Sequence, residues 1–147
     1  MAFLYVPAYT FPNSIEQLAG LQLKTKVFND DQLAKLERYV NQVLRPQLQP
    51  VPNVRTGQVG SNPRYSESFG YKYDYVHKII NLPTDPIPTF LQQVLQKSLQ
   101  IIGLKVEEGY FNQLLVNYYR PGQGIGPHTD DPKFGDIILV ISLGSTV

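Results

Sequence analysis

Apolar residues recur along this chain at helical spacing in two places and at strand spacing in others. Leu33, Leu36, Val40, Val43 and Leu44 fall on one helical face, which predicts a helix from Asn29 or Asp30, a good N-cap, to about Leu44. Pro46 stops it, because proline lacks the amide hydrogen that the next turn needs. Phe90, Val94, Leu95 and Ile102 form a second stripe, opened by Thr89 and closed by Gly103. Near the N-terminus, Phe3-Leu4-Tyr5-Val6 reads as a short strand ended by Pro7, and Asn13-Ser14 ahead of Ile15, Leu18 and Leu21 as a capped helical turn. Residues 65–75 alternate polar and aromatic positions around Gly70 in strand fashion, and residues 113–119 form a further predicted strand. Residues 136–143 are apolar at almost every position, the mark of a strand buried on both faces. Between these elements lie a Pro-, Gln-, Asn- and Gly-rich loop or lid at 46–64, a turn built on Pro83, Pro86 and Pro88, and a Gly/Pro loop at 120–127. Helices precede the main strands, so the expected class is α+β, with helices against a sheet.

Composition narrows the reading by exclusion. The 147 residues are enough for one domain with a sizeable core, and 42% apolar with 17% charged residues is ordinary for a globular protein. There is no cysteine, which excludes a disulfide scaffold and a thiolate metal site. The first eleven residues lack a basic region and contain Pro7, so no signal peptide is expected there, and no apolar run reaches the roughly 20 residues of a membrane span. The expected location is the cytoplasm or nucleus. A net charge of +1 provides no strong field for nucleic acid, although Arg55, Arg64, Lys72 and Lys78 outnumber Glu67 and Asp74 between residues 55 and 78. Ten tyrosines suit either ordinary packing or a site for flat polar ligands, and count alone favours packing.

The candidate chemistry lies in His128-Thr129-Asp130. In extended backbone, positions i and i+2 point to the same side, so the imidazole and the carboxylate converge. These are two of the three protein ligands of the facial triad that holds non-haem Fe(II). The tripeptide alone is a weak signal, and a loop histidine held by a neighbouring carboxylate satisfies it equally. Its setting is more specific, because a Gly/Pro loop delivers the pair between two predicted strands. The other histidine, His77, has no carboxylate at ligand spacing and reads as a surface residue.

The run Asn117-Tyr118-Tyr119-Arg120-Pro121-Gly122-Gln123-Gly124-Ile125-Gly126-Pro127-His128-Thr129-Asp130, with Ile141-Ser142-Leu143-Gly144-Ser145 after it, resembles the core signature of the AlkB family of Fe(II)/2-oxoglutarate dioxygenases. Residues 69–75 resemble the family's upstream nucleotide-recognition element, and the resemblance covers roughly residues 60–147. Its flavour is that of the eukaryotic AlkB homologues, including the tRNA-modifying type. The resemblance implies a double-stranded β-helix (jelly roll) with N-terminal buttressing helices, in a single domain over residues 1–147. Helices and lid would occupy about 1–105, and the start of the jelly-roll core about 106–147. It implies Fe(II) held by His128 and Asp130, 2-oxoglutarate bound by Asn117 and Tyr119, and O2 as oxidant. Tyr71 and Tyr73 would lie on the lid near the substrate. The implied activity is oxidative demethylation or hydroxylation of a nucleic-acid base in DNA or RNA, tRNA included, by a monomer that does not associate with membranes. Two other readings stand beside it: a non-catalytic nucleic-acid-binding module, and a dioxygenase acting on protein.

The family pattern continues past Ser145 with a second iron histidine and an arginine that clamps 2-oxoglutarate, and neither follows in these 147 residues. The expectation is therefore an incomplete barrel, a fragment of a longer protein that is inactive alone. Its uncovered strand at 136–143 would be prone to aggregate.

Overall fold

The computed structural model describes residues 22–53, 55–74, 77, 79–125, 128–131 and 133–144. The strand expected at residues 3–6 and the capped turn after Asn13 lie outside them.

The first helix, α1 (Asp30–Tyr39), starts where the sequence places it. Asn29 Oδ1 accepts the Gln32 amide at 3.0 Å, and Gln32 Oε1 accepts the Asn29 amide at 3.1 Å, a reciprocal capping box. The α geometry ends earlier than expected, passing into a π turn (Val40–Leu44) and a 3-10 turn (Arg45–Gln47). Pro46 explains the change. It offers no hydrogen to the carbonyl four residues back, and its ring crowds that carbonyl, so the preceding turn widens. The Gln47 side chain then donates to the Val43 carbonyl at 2.6 Å.

The second helix, α2 (Thr89–Ile102), ends at Gly103 in the left-handed region, with φ +72°, where the Leu104 amide reaches back to the Leu99 carbonyl at 3.0 Å. Its buried side is Leu91, Val94 and Ser98, rotated from the expected stripe of Phe90, Val94, Leu95 and Ile102. Ser98 is tolerated there because its hydroxyl donates to the Val94 carbonyl at 2.8 Å. Phe90 instead packs its ring on Tyr39, 4.6 Å between centroids.

Two antiparallel sheets complete the described fold. β1 (Gln49–Pro50), β2 (Tyr65–Phe69) and β5 (Leu114–Tyr118) pair in the order β1-β2-β5, and β3 (Tyr71–Asp74) pairs with β4 (Ile79–Pro83). The expected single strand over 65–75 is thus two strands in two sheets, broken at Gly70. That residue has φ +78°, and a Cβ on it would collide with the Asn112 carbonyl oxygen, so only glycine fits the corner. Its amide donates to the Asp85 carbonyl at 2.6 Å, and its own carbonyl accepts from the Thr84 amide at 3.1 Å.

Register assigns the faces of the larger sheet. Tyr65 lies opposite Tyr118, Glu67 opposite Val116 and Phe69 opposite Leu114, so these six share one face. Phe69, Leu114 and Val116 from it join Leu36, Leu44, Leu48, Leu91, Val94 and Ile141 in one buried cluster. Ser66, Ser68, Leu115 and Asn117 occupy the other face, which holds no fully buried side chain.

The strand expected at 136–143 does not form: the described residues 136–144 hold only an isolated bridge at Val140. A strand needs a neighbour for its amides and carbonyls along its length, and the single bridge at Val140 does not extend into a ladder. Ile141 is buried in the core, whereas Ile138 is 48% exposed. An α+β arrangement of few helices and antiparallel sheets is what these elements make, compatible with a 2-oxoglutarate oxygenase fold. No described helix is long and apolar enough to cross a membrane.

Candidate metal centre

Asn117 occupies the open sheet face because it lies directly opposite Ser66, and its Oδ1 accepts from Arg64 Nη1 at 3.5 Å. Tyr119 follows the last residue of β5, and its hydroxyl is buried. The sheet therefore presents an amide, a guanidinium and a serine hydroxyl on one face, with a buried phenol next to its edge. Such groups suit a ligand carrying carboxylates. The tyrosines flanking them hold two more arginines. The Arg45 guanidinium lies 4.5 Å from the Tyr118 ring centroid, and that of Arg120 lies 5.3 Å from Tyr65.

The loop after β5 is tied back to the lid loop by one side chain. Gln123 Nε2 donates to the Asn62 carbonyl (3.1 Å), Asn62 Oδ1 (2.8 Å) and the Pro63 carbonyl (2.9 Å), while Gln123 Oε1 accepts the Arg120 amide at 2.7 Å.

Past that tie come His128 and Asp130. Residues 128–130 are not in a strand, yet their side chains converge, with His128 Nε2 and Asp130 Oδ1 3.6 Å apart and each side chain about two-fifths exposed. That separation is too long for a hydrogen bond between them. Two donors bound at about 2.1 Å to adjacent positions of one ion stand roughly 3 Å apart. A modest closure of the observed pair would meet that requirement, and imidazole nitrogen with carboxylate oxygen is a donor set that Fe(II) accepts. The pair thus fits as two ligands of an iron site. Among the described residues no group of three His, Asp or Glu side chains closes on one point.

The lid tyrosines differ from the simple alternation expected of them. Between Lys72, opposite Leu82, and Asp74, opposite Ile79, the register slips by one, a bulge that sets residue 73 against two residues of β4. Tyr71 is exposed. Tyr73 turns toward the segment after Asp130, where its hydroxyl donates to Asp131 Oδ2 at 2.9 Å and its ring lies 4.9 Å from that of Phe134. His77 is a surface residue, as expected, but not without a carboxylate: Asp74 Oδ1 accepts its amide at 3.0 Å, and Asp74 Oδ2 lies 2.7 Å from its Nδ1.

Sequence reasoning missed Asp131, Gln123 and the contact of Arg64 with Asn117. Arg64 carried a signal, since it ends the lid loop immediately before a strand. The partners of Asp131 and Gln123 lie 58 and about 61 positions away, with no periodicity to announce them.

Residues 8–147 match the family model described as the 2OG-Fe(II) oxygenase superfamily. The tRNA (carboxymethyluridine(34)-5-O)-methyltransferase alkbh8 of Xenopus tropicalis is 37% identical over 89 residues, 57% of this chain and 14% of that protein. Its namesake in Mus musculus is 34% identical over 89 residues, 57% of this chain and 13% of that protein. An uncharacterised protein of Acanthamoeba polyphaga mimivirus is 34% identical over 70 residues, 47% of this chain and 31% of its own length. The chain therefore spans only a small part of the tRNA-modifying relatives it matches. No solved structure gives a significant match.

Proposed function

Given that the chain belongs to the 2OG-Fe(II) oxygenase superfamily, as an AlkB-like member, we propose that it oxidises a methylated or otherwise alkylated base in nucleic acid, with tRNA the first candidate. The observation that carries the reading is the convergence of His128 and Asp130 to 3.6 Å in the loop that follows β5 and its Asn117. The tRNA preference comes from the relatives named as tRNA methyltransferases.

In this reading His128 and Asp130 are two protein ligands of Fe(II), and a third donor completes the set. Bound iron and 2-oxoglutarate supply the activation of dioxygen needed to oxidise a C–H bond. This chain's own residues hold and orient. Asn117 and Tyr119 hydrogen-bond 2-oxoglutarate, with the Arg64 guanidinium adding positive charge beside its carboxylates. Tyr71, exposed on β3, offers a ring on which an unstacked base can rest, and Tyr73 lines the same approach. In this reading β5 begins the jelly-roll core, and α1 and α2 share the buried cluster with its apolar face.

The test is succinate formation from 2-oxoglutarate under air with Fe(II), using N-methylated RNA and DNA oligonucleotides and methylated peptides as separate substrates. Succinate with RNA or DNA, abolished by His128→Ala, is the expected result once a third donor completes the site, and this chain by itself is expected to be inactive. Turnover only with peptides replaces nucleic acid by protein as substrate. Oligonucleotide binding without any succinate makes the chain a binding module.

A further inference from the structure

The metal pair sits in a stretch with no ladder to orient it. In strands the backbone bonds on either side fix where a side chain points, but the described residues from 119 to 139 belong to no strand. Two side-chain ties bracket the pair instead: Gln123 upstream, on the lid loop, and Tyr73 downstream, on Asp131 and Phe134.

The downstream tie abuts the ligand itself. Asp131 is joined to Asp130 by one peptide bond, and its acceptors have separate tasks. Oδ1 accepts the Lys133 amide at 3.1 Å and the main-chain carbonyl accepts the Phe134 amide at 2.9 Å, which together shape the turn that follows. Oδ2 receives the Tyr73 hydroxyl at 2.9 Å in a partly buried contact. Tyr73 thus grips the segment twice, by hydroxyl at residue 131 and by ring at residue 134.

We infer that Tyr73 is a positioning residue for the metal centre: through Asp131 it fixes the direction in which Asp130 presents its carboxylate, and so couples the β3–β4 hairpin to metal affinity. This rests on the proposed metal role of His128 and Asp130, and it gives Tyr73 a task beyond lining the substrate approach. Outer groups that orient a ligand are worth about 10–100-fold in metal affinity.

Co(II) serves as the probe, titrated anaerobically into the full chain and followed by its visible absorption. The Tyr73→Phe variant keeps the ring on Phe134 and deletes only the hydroxyl. It is expected to weaken Co(II) binding about tenfold and to change the band positions that report ligand geometry. Tyr71→Phe, on the same strand, should leave both unchanged. Asp131→Ala should reproduce the loss, and the Tyr73→Phe/Asp131→Ala double variant should be no weaker than Asp131→Ala alone, because both act through one contact. A second measurement, amide exchange without metal, should show faster exchange at residues 129–134 in Tyr73→Phe, with α2 unaffected.

Equal affinity and spectra for Tyr73→Phe and the parent overturn the inference and leave the metal site standing. Additive losses in the double variant overturn the route through Asp131. A parent chain that binds no Co(II) overturns the metal reading, and the positioning role with it.

Discussion

The β2–β5 floor and the segment at 119–144 lie next to each other in the chain yet are held by different means. The floor has five consecutive register pairs between two strands, and its helix-facing side sinks Phe69, Leu114 and Val116 to 4% exposure or less. Among its described residues, the segment that holds His128 and Asp130 has one buried side chain, Ile141, with Leu143 packed beside the core, and otherwise depends on single side-chain ties to other parts of the chain. Burial is cooperative and non-directional, whereas such ties are local and specific. This arrangement leaves Asn117 on a ladder-held base and His128 and Asp130 on a part whose geometry a few contacts can tune. It also predicts that mutations in the two regions fail differently, globally in the first and locally in the second.

The largest effect is expected at the corner that launches the lid hairpin from the floor. Gly70→Ala must relieve a collision of its Cβ with the Asn112 carbonyl oxygen while holding φ near +78°. Neither can be relaxed without moving Asn112 or undoing the bonds of Gly70 to Thr84 and Asp85. A loss of about 4 kcal/mol or more is expected, comparable with the whole stability of many domains. Thermal unfolding by circular dichroism checks it, and a melting curve like the parent's would show that the corner is not fixed by this approach. Leu114→Ala comes next. Leu114 is 2% exposed in the centre of the cluster, and its truncation should cost about 3 kcal/mol in a urea titration. A cost below about 1 kcal/mol would mean that the floor is not the cooperative unit described above.

What could be read from the sequence divides along the same line. Elements decided by near neighbours were legible: the Asn29 cap with Gln32, the helix from Thr89 to Gly103, and a strand ending close to Tyr119. Gly70 stood out as a glycine in a strand pattern, but the reason for it, the Asn112 carbonyl, is 42 positions away along the chain. The apolar run at 136–143 was misread because a composition suited to a strand says nothing about whether a partner lies alongside. The metal pair was legible as a motif, and its side chains do converge, though without the extended strand that the argument assumed. Tyr71 and Tyr73 are both expected on the lid near the substrate, yet Tyr71 is exposed while Tyr73, beside a one-residue slip in β4, reaches Asp131 and Phe134. Periodicity carries no information on a bulge in a neighbouring strand.

The smallest expected effect on stability is also the sharpest test of the contrast. Gln123 makes its contacts with both ends of the amide, and removing them in Gln123→Ala frees the 120–125 loop from Asn62 and Pro63. Three of those four bonds are solvent-exposed, so water replaces much of what is lost, and about 1 kcal/mol or less of global stability should go. Amide exchange should nevertheless accelerate across the described loop residues while β2 and β5 keep their protection, since opening there needs no break in the ladder. If Gln123→Ala instead lowers the urea midpoint as far as Leu114→Ala does, the loop is part of the floor's cooperative unit. The distinction between a buried base and a tethered metal segment then fails. If the loop opens alone, the ties on either side of His128 and Asp130 are what set the ligand geometry, and the affinity of the site for metal becomes adjustable without disturbing the fold.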